Sequence, residues 1–146
     1  MKILFTAFYL MLVPQIRSLA QTGFFLIVEN KDQCPHLVKA VDFLQEYCIP
    51  EEPIIKPSEF KVEGNLEYDL SKTTQYFILH FTKSGFETLK LICDHMPEKQ
   101  LVLVVDGKAA GVYDKKKLTP AQIMPINGKA DSKEIRWVFE TLKNLN

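Results

Sequence analysis

The chain has 146 residues, and its 18 Lys and Arg are balanced by 18 Asp and Glu, so its formal net charge is zero. That balance does not favour a polyanion, whose binding needs a basic face, and nucleic acid is not an expected partner. A hydrophobic share of 47%, including 10 Phe, supplies a packed core and excludes a disordered chain.

The first residues have three parts. Lys2 supplies a positive start, residues 3–13 are an apolar run, and Pro14 breaks it. Ser18-Leu19-Ala20 then places small residues one and three positions before a cut at Ala20–Gln21, the pattern of a secretory signal. An apolar run of about 11 residues is too short for a bilayer span, which takes about 20. Residues 1–20 therefore read as a signal peptide and residues 21–146 as a single exported domain, periplasmic or extracellular. No cysteine occurs in residues 21–33, so a lipid-anchored form is not expected, nor is a membrane span after cleavage.

Residues 24–28, Phe-Phe-Leu-Ile-Val, predict a buried strand. Residues 29–35 are polar and turn-rich. Residues 36–49 fit two templates. Leu37, Val41, Leu44 and Cys48 form a helical stripe, whereas Val41, Phe43, Tyr47 and Ile49 partly alternate as in a strand, with Gln45 as the defect. Cysteine pairing depends on that choice. A single helix would set Cys34 and Cys48 about 20 Å apart, at ~1.5 Å per residue. A disulfide needs Cα atoms within about 7 Å. An extended segment that folds back makes Cys34–Cys48 the expected pair in an exported protein and leaves Cys93 over; three free thiols are the alternative.

Pro50, Pro53 and Pro57 forbid a helix across the next stretch. Ser58-Glu59-Phe60 predicts a turn, with a linking stretch through Gly64-Asn65 and a strand over residues 66–70. Residues 76–81 predict a strand apolar on both faces. Ser84 with Glu87 reads as a capping box, opening a helix that buries Phe86, Leu89, Ile92, Cys93 and Met96 and ends at Pro97. Residues 101–105 predict a buried strand, Asp106-Gly107 a tight hairpin turn, and residues 108–113 the returning strand. Lys115 to Lys117 read as a solvated loop. Residues 123–126 predict a short strand turned by Asn127-Gly128. Asp131 caps a last helix whose buried stripe is Ile135, Val138, Phe139 and Leu142. The resulting order is an α+β domain, an antiparallel sheet with two or three helices packed on one face.

In residues 75–146 the motifs Phe81-Thr82-Lys83-Ser84-Gly85-Phe86, Leu101 to Val105 with Asp106-Gly107-Lys108, Ile126-Asn127-Gly128 and Asp131 to Ile135 follow one another in that order. This succession resembles the head subdomain of the first periplasmic domain of the bacterial export proteins SecD and SecDF. The stretch Tyr47-Cys48-Ile49 to Pro53-Ile54-Ile55 is similar to the segment that precedes that head, and the resemblance favours an extended chain near Tyr47. It implies a periplasmic binding module that contacts protein, including unfolded or exported polypeptide. SecD-type proteins carry transmembrane helices, so proton translocation does not carry over. The family loop after Asp-Gly-Lys holds a proline and several glycines. Here it is Asp114-Lys115-Lys116-Lys117-Leu118-Thr119-Pro120, which puts a partner role for that loop in doubt.

Few residues suggest chemistry. Cys93, Asp94 and His95 are adjacent, but helix neighbours one and two apart do not face each other, and Cys93 lies on the apolar stripe. His36, His80 and His95 lack the close spacing of a metal site. No catalytic, cofactor or metal residue is therefore expected, and the chain reads as a non-enzymatic interaction module. Tyr113 and Trp137 are the expected partner contacts, because exposed aromatics anchor interfaces. A small exported hydrolase with an unrecognised site is the alternative, and a structural or inhibitory subunit of an envelope complex is a third reading. A cleft gathering His80, Asp94 and His95 would favour the enzyme; an exposed apolar groove or sheet edge would favour binding.

Overall fold

The computed structural model describes residues 21–96, 98–114 and 118–145, so the signal segment, Pro97 and the Lys115–Lys117 loop lie outside the described residues. The described residues form an α+β domain with two sheets and two α-helices. Strands β1 (Gly23–Leu26), β2 (His36–Ala40), β3 (Glu46–Ile49), β6 (Leu101–Val105) and β7 (Lys108–Tyr113) form one sheet in the order β1-β6-β7-β2-β3. Strands β4 (Phe60–Tyr68), β5 (Thr74–Phe81) and β8 (Ile123–Lys129) form an antiparallel sheet in the order β4-β5-β8. Helices α1 (Lys83–His95) and α2 (Lys133–Lys143) pack against this second sheet. The expected single antiparallel sheet is thus divided in two, and the larger sheet holds one parallel pair, β2 with β7.

The five-stranded sheet curls until its ends meet. Val28, just past β1, donates its N–H to the carbonyl of Cys48 on β3 at 2.9 Å, joining the two edge strands. The alternation of β6 explains why both faces are apolar. Val102 and Val104 point into this nearly closed barrel with Phe25, Val38, Ile49 and Ala109. Leu101, Leu103 and Val105 point out of it, onto the inner face of the three-stranded sheet. That second layer contains Phe77, Leu79 and Phe81 of β5, and the stripes Leu89 and Ile92 of α1 and Ile135, Val138 and Leu142 of α2. Phe24 ties the layers together, with its ring 5.3 Å from Phe60 and 5.6 Å from Phe81.

Residues 36–49 take the extended form. The helical template fails because it would bury Leu37 and Leu44, which are 58% and 82% exposed, whereas Val38 and Ile49, off that stripe, are buried. Cys34 and Cys48 form a disulfide with a Cα–Cα distance of 5.5 Å. Cys93 is buried, its Sγ 3.9 Å from the carbonyl oxygen of Leu118.

Several local expectations are corrected. The expected turn at Ser58-Glu59 is present as a 3-10 turn over Pro57–Glu59, but the stretch read as a linker is the first half of β4, which begins at Phe60; a register shift between Glu63 and Glu67, with Gly64 at φ 77°, breaks the alternation there and hides the strand. The cap of α1 is Thr82, which accepts from the Gly85 N–H at 3.2 Å, while Ser84 lies in the first turn and donates to Glu59. The cap of α2 is Ser132; Asp131 sits at φ 59° and receives the Tyr68 hydroxyl instead. Asp106-Gly107 is the expected tight turn, with both residues at positive φ. Asn127-Gly128 is not a turn but part of β8. Its glycine allows α2 to lie close, since a Cβ there would stand 2.7 Å from the Cβ of Ile135.

Candidate functional site: a cleft between two sheets and an exposed hairpin tip

The turn between β2 and β3 carries the most conspicuous exposed apolar pair. Phe43 and Leu44 are 67% and 82% exposed. Asp42 fixes the turn by accepting the Leu44 N–H at 3.0 Å. Phe43 adopts φ 62°, a left-handed conformation that costs a bulky residue energy and is kept only where the surroundings impose it. Behind it lies Lys108, next to the Asp106-Gly107 turn. Its Nζ is 5.5 Å from the Phe43 ring centroid and 5.1 Å from that of Trp137 on α2. One cation thus joins the barrel tip to the helix through two ring faces.

Beside this tip the barrel and the three-stranded sheet leave two adjoining clefts of about 270 and 360 Å³. Val41, Asp42, Ala110 and Glu134 line both, so the two form one groove. Its first half runs along β7 past Gly111 and Val112. Its second half is floored by Ile126, Ile135 and Val138 and edged by the backbone of Asn127 to Lys129. Asp42 and Glu134 put two carboxylates at the junction. A third cleft, of about 690 Å³, lies against the disulfide and includes Ile27, Pro35 and Leu37.

The residues singled out for chemistry are dispersed. His80 points from the outer face of β5, between Lys61 of β4 and Ile123 of β8. Asp94 and His95 are exposed at the end of α1, and His36 is exposed at the start of β2. None of them lines the described groove. Of the two expected partner contacts, Trp137 is half-buried beside the tip, held by Lys108. Tyr113 is turned inward, its ring 6.2 Å from Phe24, and burial pushes its phenol well above the ordinary tyrosine range. Sequence reasoning missed Asp42, Phe43, Leu44 and Glu134. The signal available was that Phe43-Leu44 sits between polar neighbours and satisfies neither template for residues 36–49 throughout.

The described residues thus form an α+β domain built of a small barrel and a helix-covered sheet. No protein-family model matches the sequence, and no characterised protein matches it by sequence. The fold, however, matches solved structures of SecDF. One is a membrane component SecDF that enhances protein export, with a TM-score of 0.58 and 15% identity over 85% of this chain. Another is SecDF in a super-membrane-facing form, with a TM-score of 0.59 and 14% identity over 88%. This chain spans 63% of the first and 19% of the second. It has a SecDF-like fold, and the likeness reaches well beyond residues 75–146. Among the described residues no helix is long and apolar enough to cross a membrane.

Proposed function

We propose that this chain is an exported, non-enzymatic module that binds unfolded polypeptide in the periplasm or extracellular space. The observation that carries this reading is the exposed Phe43-Leu44 tip, with Phe43 at φ 62°, next in the chain to Val41 and Asp42 of the groove lining. A strained, solvent-facing aromatic is costly, and contact with a partner offsets that cost. The SecDF-like fold supports the same reading, because SecDF is a component that enhances protein export. Transport activity is not part of the proposal.

The test is a titration of the mature domain with an alkylated, permanently unfolded model protein and with the same protein in its native form. Binding should occur to the unfolded form alone. The Phe43→Ala, Leu44→Ala double variant should weaken it at least tenfold, the effect of truncating two central anchors. Equal affinity for both forms, or no binding to either, would overturn the reading.

A further inference from the structure

We infer that the polypeptide enters as an added antiparallel β-strand on the free edge of β8, with alternate side chains in the groove; this rests on the reading above and names its mode. The backbone of β8 supplies the first reason. Phe81 N donates to Gln122 O at 2.8 Å and Ala130 N to Thr73 O at 3.0 Å, both across to the β5 side. Peptide groups alternate in direction along an antiparallel strand, and the β5–β8 register runs without a shift. Met124, Ile126 and Gly128 therefore turn their N–H and C=O groups to β5, while Ile123, Pro125, Asn127 and Lys129 turn theirs outward. Among the described residues no strand pairs with that side. The Lys129 carbonyl is taken by Ser132 N at 3.2 Å. The donors of Ile123, Asn127 and Lys129 and the carbonyls of Ile123, Pro125 and Asn127 remain. Such an alternating row matches another extended backbone and little else.

The opposite edge of this sheet is not equivalent. It is broken by the bulge in β4, and Lys143 Nζ donates to the Gly64 carbonyl at 3.4 Å. On β8, Pro125 removes one outward donor at no cost to the β5 ladder. The donors of Ile123 and Asn127 flank it, so the proline fixes which residues of the incoming strand find partners.

Side-chain direction supplies the second reason. The Ile126 side chain and the bare Cα of Gly128 line the groove. Guest residues opposite them point the same way, between Val41, Ala110 and Val138, and should be small or medium and apolar. Guest residues opposite Ile123, Pro125 and Asn127 point to solvent, and these are the ones whose amides face β8. The carboxylates of Asp42 and Glu134 at the groove junction complement a basic guest residue. A neutral pocket would not make that distinction.

The test uses a short peptide alternating leucine and threonine with one arginine, read by fluorescence anisotropy against the mature domain. N-methylation of the threonines, whose amides face β8, should lower affinity more than tenfold; N-methylation of the leucines should change it less than threefold. Asn127→Pro, which removes an outward donor only, should weaken the unmodified peptide, and Asp42→Asn with Glu134→Gln should abolish the preference for arginine over glutamate. Binding that is insensitive to the position of N-methylation overturns strand addition while leaving the binding function standing. So does a free protein that already dimerises through β8, seen as Asn127→Pro converting dimer to monomer in sedimentation. Absence of binding by any unfolded chain overturns both proposals.

Discussion

The disulfide and the barrel closure are tested by replacing Cys34 with serine. Cys48 is the fixed partner: it is 4% exposed, and its carbonyl receives the Val28 N–H that joins the barrel edges. Cys34 is less buried, in the loop that leads into β2, so its replacement leaves the barrel interior intact. The bridge spans a sequence separation of 14 residues. Closing a loop of that size in the unfolded chain lowers its entropy enough to stabilise the fold by about 3 kcal/mol. With a urea dependence of about 1.5–2 kcal/mol per molar for a domain of this size, Cys34→Ser should lower the midpoint by about 1.5–2 M. The slope should rise slightly, because an uncrosslinked unfolded chain is more expanded. Reductant should move the wild type to the same midpoint and leave the variant unmoved. Thiol titration of the denatured, unreduced wild type should find the Cys93 thiol alone. Equal midpoints for variant and wild type would show that the bridge does not stabilise the fold, and three reactive thiols before reduction that it does not form.

Two further outcomes follow from the packing. Gly128→Val forces a side chain against Ile135, whose Cβ would stand 2.7 Å from the new Cβ, and should destabilise by about 2 kcal/mol in urea unfolding, while Gly64→Ala, which meets no neighbour but is strained at φ 77°, should cost about 1 kcal/mol. Burial holds the Tyr113 phenol protonated above its ordinary pKa of about 10. The unfolded state therefore releases that proton first as pH rises, so stability is unaffected below about pH 10 and falls above it. Tyr113→Phe should flatten that alkaline loss in midpoints measured from pH 9 to about 11, and an unchanged slope would show that the phenol is not the group responsible.

The second half of the fold was legible because its signals are local. The alternation of β5, the run of β6, the Asp106-Gly107 turn and the stripes of both helices each specify an element without reference to distant residues. Where a reading failed, a tertiary contact had replaced a local rule. Asn127-Gly128 has turn chemistry, yet its glycine serves the approach of α2 to β8. Gly64-Asn65 reads as a linker because a bulge interrupts the alternation of β4. Residues 36–49 could not be resolved from periodicity, since exposed Leu37 and Leu44 occupy positions that a helix would bury. The groove was least legible of all. It is made of segments far apart in sequence, Val41-Asp42 after β2, Ala109 to Val112 of β7, the edge of β8 and the Glu134 side of α2. The groups proposed to bind there are partly backbone, and backbone leaves no compositional trace.

Under the binding function proposed above, Phe43 touches polypeptides in transit. The most direct measurement places a photo-crosslinking amino acid at Phe43 in the full chain, with exposed Leu91 on α1 as the control position. Illumination of cells actively exporting protein should yield adducts with newly exported, unfolded polypeptides at Phe43 but not at Leu91, and blocking export should remove them. Equal labelling at both positions, or adducts that persist when export is blocked, would contradict the claim.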